Sequence, residues 1–198
     1  MTPNPIKIAC VGDSITQGRY PSKFACLLGG GYTVKDFGHS AKTLLKSGLE
    51  DDGTAPFPCS YWDTETFAES KNFAPDLVII MLGTNDAKSV NWMPGSAEKF
   101  TADYLSLIES YRRLPSAPTV FVATSPSAYN QVGNISAACI ANEIVPLQRK
   151  IAEEAHCPLI DIFTATANAP ELFPDGIHPG DDGNSLIAQA MVAGIRKL

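Results

Sequence analysis

Long apolar runs are missing from this chain of 198 residues. The longest aliphatic stretch, 77–82, is far short of the ~20 residues that span a bilayer. The opening Met1-Thr2-Pro3-Asn4-Pro5-Ile6-Lys7 lacks the charged-then-apolar order of a secretory leader, which weighs against secretion and leaves the compartment open. An excess of basic residues is missing too. Fifteen Lys and Arg against twenty-one Asp and Glu give a formal charge of −6, and the pI is about 5.0. A dedicated nucleic-acid binder needs the opposite balance to neutralise phosphates. The five cysteines (Cys10, Cys26, Cys59, Cys139, Cys157) form no C-x-x-C pair, which argues against a zinc ribbon or a thioredoxin-type site. Most of them read as buried, reduced core thiols. No metal-ligand spacing is present and no cofactor is expected. Neither G-x-G-x-x-G nor G-x-x-x-x-G-K occurs, so a phosphate loop is absent. A G-x-S-x-G nucleophile elbow is absent as well, because its nearest imitation, Gly38-His39-Ser40-Ala41-Lys42, ends in lysine.

What is present describes one globular domain, 1–198. Apolar residues make up 44% and charged residues 18%, too apolar and too weakly charged for a disordered chain. A domain of this size buries about 70% of the surface its unfolded chain exposes, so it needs no disulfide or metal staple. Short apolar runs at 6–11, 32–37, 76–82, 119–124 and 159–163 read as strands. Helical patterns fall at 21–28, 61–72, 96–114, 135–156 and 185–197. Pro146 should kink or split the fourth of these, and Ser96 is placed to N-cap the third. The segments 38–58, 83–95, 125–133 and 170–183 read as loops, with room for one helical turn in the first and a short turn in the last. Strands alternating with helices imply an α/β fold with a parallel sheet and helices on both faces. In such sheets chemistry sits beyond the C-terminal strand ends. Function is therefore expected at 12–16, 38–43, 83–86, 125–129 and the loop before the last helix.

Those strand ends carry chemistry-bearing residues, each with a structural alternative. Ser14, in Gly12-Asp13-Ser14-Ile15-Thr16, follows the first strand at a sharp turn and can serve as a nucleophile or as a helix cap. Asn85, in Gly83-Thr84-Asn85-Asp86, can present its amide to a developing oxyanion or close an Asx turn. A serine nucleophile needs a base, and only three histidines are available. His156 sits near a helix end, where it serves the helix dipole. His39 lies in the second loop. His178 has Asp175 three residues earlier, a spacing that lets the carboxylate fold back onto one ring nitrogen while the other faces outward.

Together, Gly12-Asp13-Ser14-Ile15-Thr16, Gly38, Gly83-Thr84-Asn85-Asp86 and Asp175-Gly176-Ile177-His178-Pro179 resemble the motif blocks of the SGNH hydrolases, also called the GDSL esterase/lipase family. The blocks occur in the family's order and span nearly the whole chain. The resemblance implies a three-layer α/β/α sandwich, flavodoxin-like, with a five-stranded parallel sheet. It implies Ser14 as nucleophile, His178 as base and Asp175 as its orienting carboxylate. It implies an oxyanion hole from the Ser14 N–H, the Gly38 N–H and the Asn85 side chain. One departure is Asp36, where the second block usually has Asn. It leaves the Gly38 N–H free on this reading while altering the hydrogen bonding of the loop.

The third block with Ala87-Lys88 and Asn91-Trp92 is similar to the bacterial carbohydrate O-acetylesterase branch. The expected substrate is thus a small-molecule or oligosaccharide acetyl ester, with no nucleic-acid or membrane partner and an open oligomeric state. Trp92 can stack on a sugar ring or pack back onto the core. Asp13 and His39 are further candidates for substrate contact, and Tyr61 and Trp62 weaker ones. The enzymic alternatives are a general short-chain esterase, thioesterase or lysophospholipase. The non-enzymic alternative is a carbohydrate-binding module on a dead hydrolase fold.

Overall fold

The computed structural model describes residues 4–50, 56–129 and 134–197. Residues 1–3, within the segment read for a leader, and parts of the loops expected at 38–58 and 125–133 lie outside the described residues. Five parallel strands form the central sheet: β1 (Ile6–Gly12), β2 (Tyr32–Gly38), β3 (Leu77–Met81), β4 (Thr119–Ala123) and β5 (Leu159–Ile160). Their spatial order is β2-β1-β3-β4-β5. Chain order therefore reverses direction at β1, and β1 and β3 flank the crevice where such sheets bind ligands. The register levels three strand ends, because Gly12 pairs with both Gly38 and Met81.

Helices cover both faces. On one, α1 (Tyr20–Leu28) packs against the last helix, α6 (Asp181–Ile195), and the short α5 (Ile162–Thr166) packs beside it. On the other lie α2 (Glu65–Asn72), α3 (Ser96–Arg112) and α4 (Val145–Glu154). Phe67 of α2 meets Tyr111 of α3 edge-on, and the Tyr111 hydroxyl lies 2.6 Å from Ser70 Oγ. The phenol of Tyr104 donates to Ile80 O at 3.0 Å, so this buried ring carries no orphan hydroxyl. β1 and β3 are buried on both faces from Ile8 to Val11 and from Val78 to Met81, as expected of strands between two helical layers. Four of the five cysteines are buried and all are free. Among the described residues no helix is long and apolar enough to cross a membrane.

The sheet and its helices follow the sequence pattern, with local corrections. Among its described residues the loop after β2 has no helical turn. It forms a small antiparallel pair, Leu49–Glu50 with Phe57–Pro58, whose two-residue strands are too short to register as periodicity. The 61–72 pattern splits into a 3₁₀ turn, Tyr61–Asp63, and α2, because Thr64 stays extended and caps α2 by accepting from Phe67 N. Ser96 does not cap α3. Gly95, at φ 87°, holds that position, and the Ser96 hydroxyl instead donates to Asn91 O at 2.7 Å. Pro146 splits the fourth helix without stopping it. It sits in the first turn of α4, and the preceding segment Ile140–Ile144 widens to a π-turn. Proline lacks an N–H and crowds the carbonyl four residues back, and a wider turn relieves both. The last strand ends at Ile160 because Asp161 caps α5, its carboxylate accepting from Thr164 N at 3.1 Å. Short apolar runs do not distinguish strand from helix. α6 begins at Asp181, four residues before the expected 185, with Asp181 and Asp182 favouring its N-terminal dipole.

Candidate active site

The C-terminal ends of β1 and β3 place Ser14 and Asn85 on one cleft of about 310 Å³, and His178 enters it from the loop before α6. Ser14 stands on a turn built by Asp13. The Asp13 carbonyl accepts from Thr16 N at 3.1 Å and Gln17 N at 3.0 Å, and its carboxylate accepts from Ile15 N at 2.9 Å. Residues 14–19 are all in turns and α1 starts only at Tyr20, so Ser14 caps no helix. Among the described residues its backbone N–H has no hydrogen-bond partner.

Ser14 Oγ lies 2.9 Å from His178 Nε2, and His178 Nδ1 lies 2.7 Å from an Asp175 carboxylate oxygen. The other Asp175 oxygen accepts from Ile177 N at 2.9 Å and His178 N at 2.6 Å. Partial burial works against ionising Asp175, but the hydrogen bonds from His178 and Ile177 outweigh it and hold the pKa down to about 2. An ionised carboxylate can only accept, so Nδ1 must carry the imidazole proton. Nε2 is then the free lone pair, turned toward the serine hydroxyl.

Arg19 ties the two loops together, donating through Nε to Ser14 O at 2.9 Å and through a terminal nitrogen to Pro179 O at 3.1 Å. Asn184 of α6 also donates to Pro179 O, at 3.1 Å. The segment 125–129, expected at the site, supports it from behind instead. Tyr129 N donates to Gly176 O at 2.9 Å and the Tyr129 ring packs on Phe173. None of its residues lines the cleft.

The second block requires a correction. The Gly38 N–H is not free, since it donates to Asp36 at 2.7 Å, and the other Asp36 oxygen takes the Gly18 N–H at 2.5 Å. Gly38 is glycine for lack of space: a Cβ there would lie 2.3 Å from Gln17 N and 2.9 Å from Asp13 O. Ser40 and Ala41, just after this glycine, line the cleft with Ser14, and of the two Ala41 has the unusual backbone. Its backbone is left-handed, φ 62°, and its N–H has no partner among the described residues. Nothing in the sequence marks it, since alanine rarely adopts that conformation.

The third block fixes this loop. Asn85 Nδ2 donates to Lys42 O at 3.1 Å, and the Asp86 carboxylate accepts from Leu44 N at 2.9 Å and Leu45 N at 2.8 Å. A primary amide has two N–H bonds, so Asn85, which lines the cleft, has one beyond the bond to Lys42. Gly83, at the strand exit, takes a positive φ of 142°.

The candidate substrate contacts fare worse. Asp13 is 1% exposed beneath the cleft, so it reaches no ligand. Burial pushes its pKa up to about 6, against the hydrogen bond from Ile15 and the field of His178. Asp86 is pushed up to about 7 by burial, opposed by its bonds from Leu45 and Leu44 and aided by the charge of Asp13. His39 hydrogen-bonds Thr66 Oγ1 at 3.0 Å and does not line the cleft. Trp92 packs edge-on against Phe100 and donates through its indole N–H to Glu143 at 2.6 Å, so it follows the core-packing alternative. Tyr61 and Trp62 likewise donate inward, to Phe37 O and Leu44 O. Two charged cleft residues were assigned no site role from the sequence: Glu50, from the two-residue strand, and Lys88, whose ammonium meets it at 2.5–2.6 Å.

Residues 10–186 match the profile of the GDSL-like Lipase/Acylhydrolase family. An acetylxylan esterase of Xylanibacter ruminicola is 32% identical over 218 aligned positions, covering 96% of this chain. The chain spans 43% of the length of that relative. An acetylxylan esterase from Geobacillus stearothermophilus superposes with a TM-score of 0.70 at 22% identity, covering 98% of this chain and 96% of that one. A carbohydrate acetylesterase family member from Sinorhizobium meliloti gives 0.69 at 21% identity, covering 97% and 98%. At such identities these two structures speak for the fold.

Proposed function

This chain belongs to the GDSL-like lipase/acylhydrolase family, and from that premise we propose that it is a serine carboxylic ester hydrolase removing acetyl groups from carbohydrates. The observation that carries the mechanism is the hydrogen-bonded series Ser14–His178–Asp175, at 2.9 Å and 2.7 Å, open to one cleft. Ser14 Oγ attacks the ester carbonyl carbon while His178 Nε2 takes its proton. Asp175 holds the tautomer and faces the imidazolium that forms. Negative charge gathers on the carbonyl oxygen, toward the N–H groups of Ser14 and Ala41 and the Asn85 amide. A buried donor of this kind contributes roughly 2.7–4 kcal/mol where one has been removed. The imidazolium returns its proton to the departing alcohol oxygen, and a water molecule, deprotonated by the same nitrogen, releases the acid from Ser14.

The acyl group is short on this reading. Among the described residues the cleft wall carries three apolar side chains, Ala41, Ile135 and Ile177, too few to line a long acyl chain. The acetyl and carbohydrate assignments also draw on the 32% identical relative. Ser14→Ala is expected to lower p-nitrophenyl acetate hydrolysis to the background rate, and parental turnover in that variant would dismiss the nucleophile. Across acetyl, butyryl and octanoyl esters the rate should fall with chain length. A preference for octanoyl would remove the acetylesterase reading while leaving the esterase one.

A further inference from the structure

Lys88 and Glu50 form an ion pair in the wall of the cleft that holds Ser14, with side chains only 9% and 18% exposed. Both are held from behind. Glu50 follows Leu49, whose N–H donates to Asn91 Oδ1 at 2.7 Å and whose carbonyl accepts from Asn91 Nδ2 at 2.9 Å. Lys88 closes the 3₁₀ turn Asn85–Ala87 and bridges to Ile135. A pair drawn this far out of water loses hydration that its attraction barely repays, so stability gives little reason for putting it in a cleft. Among the described residues neither head group has another protein partner. An ammonium has three donors and a carboxylate about four acceptor positions, so each keeps capacity beyond the pair itself.

That remaining capacity has a definite chemistry. Side by side, the pair offers an acceptor and a donor while its charges sum to zero. A charged ligand gains no net attraction from it. A neutral diol fits both halves, one hydroxyl donating to Glu50 and the next accepting from Lys88. The neighbouring wall residues Ser40, Thr84 and Asn134 are polar and uncharged, which suits the same kind of ligand.

We infer that Glu50 and Lys88 form the subsite for the alcohol half of the substrate, binding free hydroxyls of the neutral sugar ring that carries the acetyl group. The assignment rests on the carbohydrate acetylesterase reading and adds residues that decide which alcohol is accepted.

The test compares two acetate esters: a mono-acetylated methyl glycoside with a free hydroxyl beside the ester, and its deoxy counterpart lacking that hydroxyl. With the parent enzyme, kcat/KM should be about tenfold higher for the hydroxylated compound, the scale of one hydrogen bond to a charged group. In the double variant Glu50→Leu, Lys88→Met, which leaves no orphan charge, that ratio should collapse to about twofold or less. A parent enzyme that takes both esters equally overturns the subsite, and so does a variant that keeps the tenfold preference. Should the variant fail to fold, the parent comparison decides alone. Failure of the underlying reading is separate, because it would show as no hydrolysis of either ester, or as hydrolysis that persists in Ser14→Ala.

Discussion

Replacing Gly38 with alanine tests whether this glycine serves by its N–H or by its missing side chain. Alanine keeps the N–H. If donation to an oxyanion were its role, the substitution would cost little. The structure gives the opposite expectation. The added Cβ would meet Gln17 N at 2.3 Å, Gln17 Cα at 2.7 Å and Asp13 O at 2.9 Å. All three are backbone atoms of the turn that carries Ser14, and no rotamer change relieves them. Ordinary contact begins near 3.4 Å, so either the end of β2 or the serine turn must retreat by about an ångström. Overpacking usually costs about 1–3 kcal/mol, and backbone on both sides puts this case at the upper end, about 3 kcal/mol. For a domain of this length that lowers the melting temperature by roughly 6–12 °C. Retreat of the turn also pulls Ser14 from His178, so kcat for p-nitrophenyl acetate should fall more than tenfold in the protein that remains folded. Thermal melts and steady-state kinetics on the same preparation measure both. A variant that melts within ~1 °C of the parent would refute the packing argument and return Gly38 to the donor role.

Asp175→Asn should lower kcat by roughly 10²–10⁴-fold with little change in melting temperature. An amide NH₂ facing Nδ1 favours the tautomer that puts the proton on Nε2, where it cannot accept from Ser14. A loss under tenfold would dismiss the orienting role. Arg19→Met removes the bridge between Ser14 O and Pro179 O. It should lower kcat about tenfold with KM nearly unchanged, because the arginine sets the serine–imidazole geometry and lies outside the cleft lining. A change confined to KM would contradict that assignment. Stability should fall as pH rises from 5 to 8. Asp13 and Asp86 are pushed up from 3.8 to about 6 and about 7 by burial. Each therefore favours the folded state below the ordinary carboxylate range and loses that contribution as pH climbs through its folded value. For Asp13 the whole loss, from below 3.8 to above 6, is on the order of 3 kcal/mol, and about half of it falls above pH 5. Asp13→Asn keeps an acceptor for Ile15 N and should flatten the slope seen in melts across that range. An unchanged slope would mean that Asp13 does not titrate there.

The parts of this molecule legible from sequence are those whose physics is local or periodic. β3 reads as a buried strand because its apolar run is continuous. Ser14, Asn85 and His178 could be singled out because a parallel sheet puts chemistry at strand ends and few histidines compete for the base. Asp175 and His178 are three residues apart, so their pairing is a property of one loop. What escaped depends on which segments meet in space. Glu50 and Lys88 are 38 residues apart in the chain, and their pairing needs a hairpin of two-residue strands that no window detects. Arg19 reaches Pro179 across 160 residues. Trp92 sits in the right loop, but its indole turns toward Glu143 and Phe100, a choice made by the surface of α3 and the segment before α4.

The second block shows how a local signal misleads. Glycine marks a position that needs either an unusual φ or close approach. At Gly38 the need is close approach, and the adjacent Asp36 takes its N–H. The unusual φ falls three residues later on Ala41, where a side chain is disfavoured by about 1–2 kcal/mol. Such strain persists only where the surroundings fix it. Here they do, through the Asn85 bond to Lys42 O and the Asp86 bonds to Leu44 N and Leu45 N. The third block thus holds an alanine of the cleft wall in a conformation its own residue type would not choose, and among the described residues its N–H has no partner.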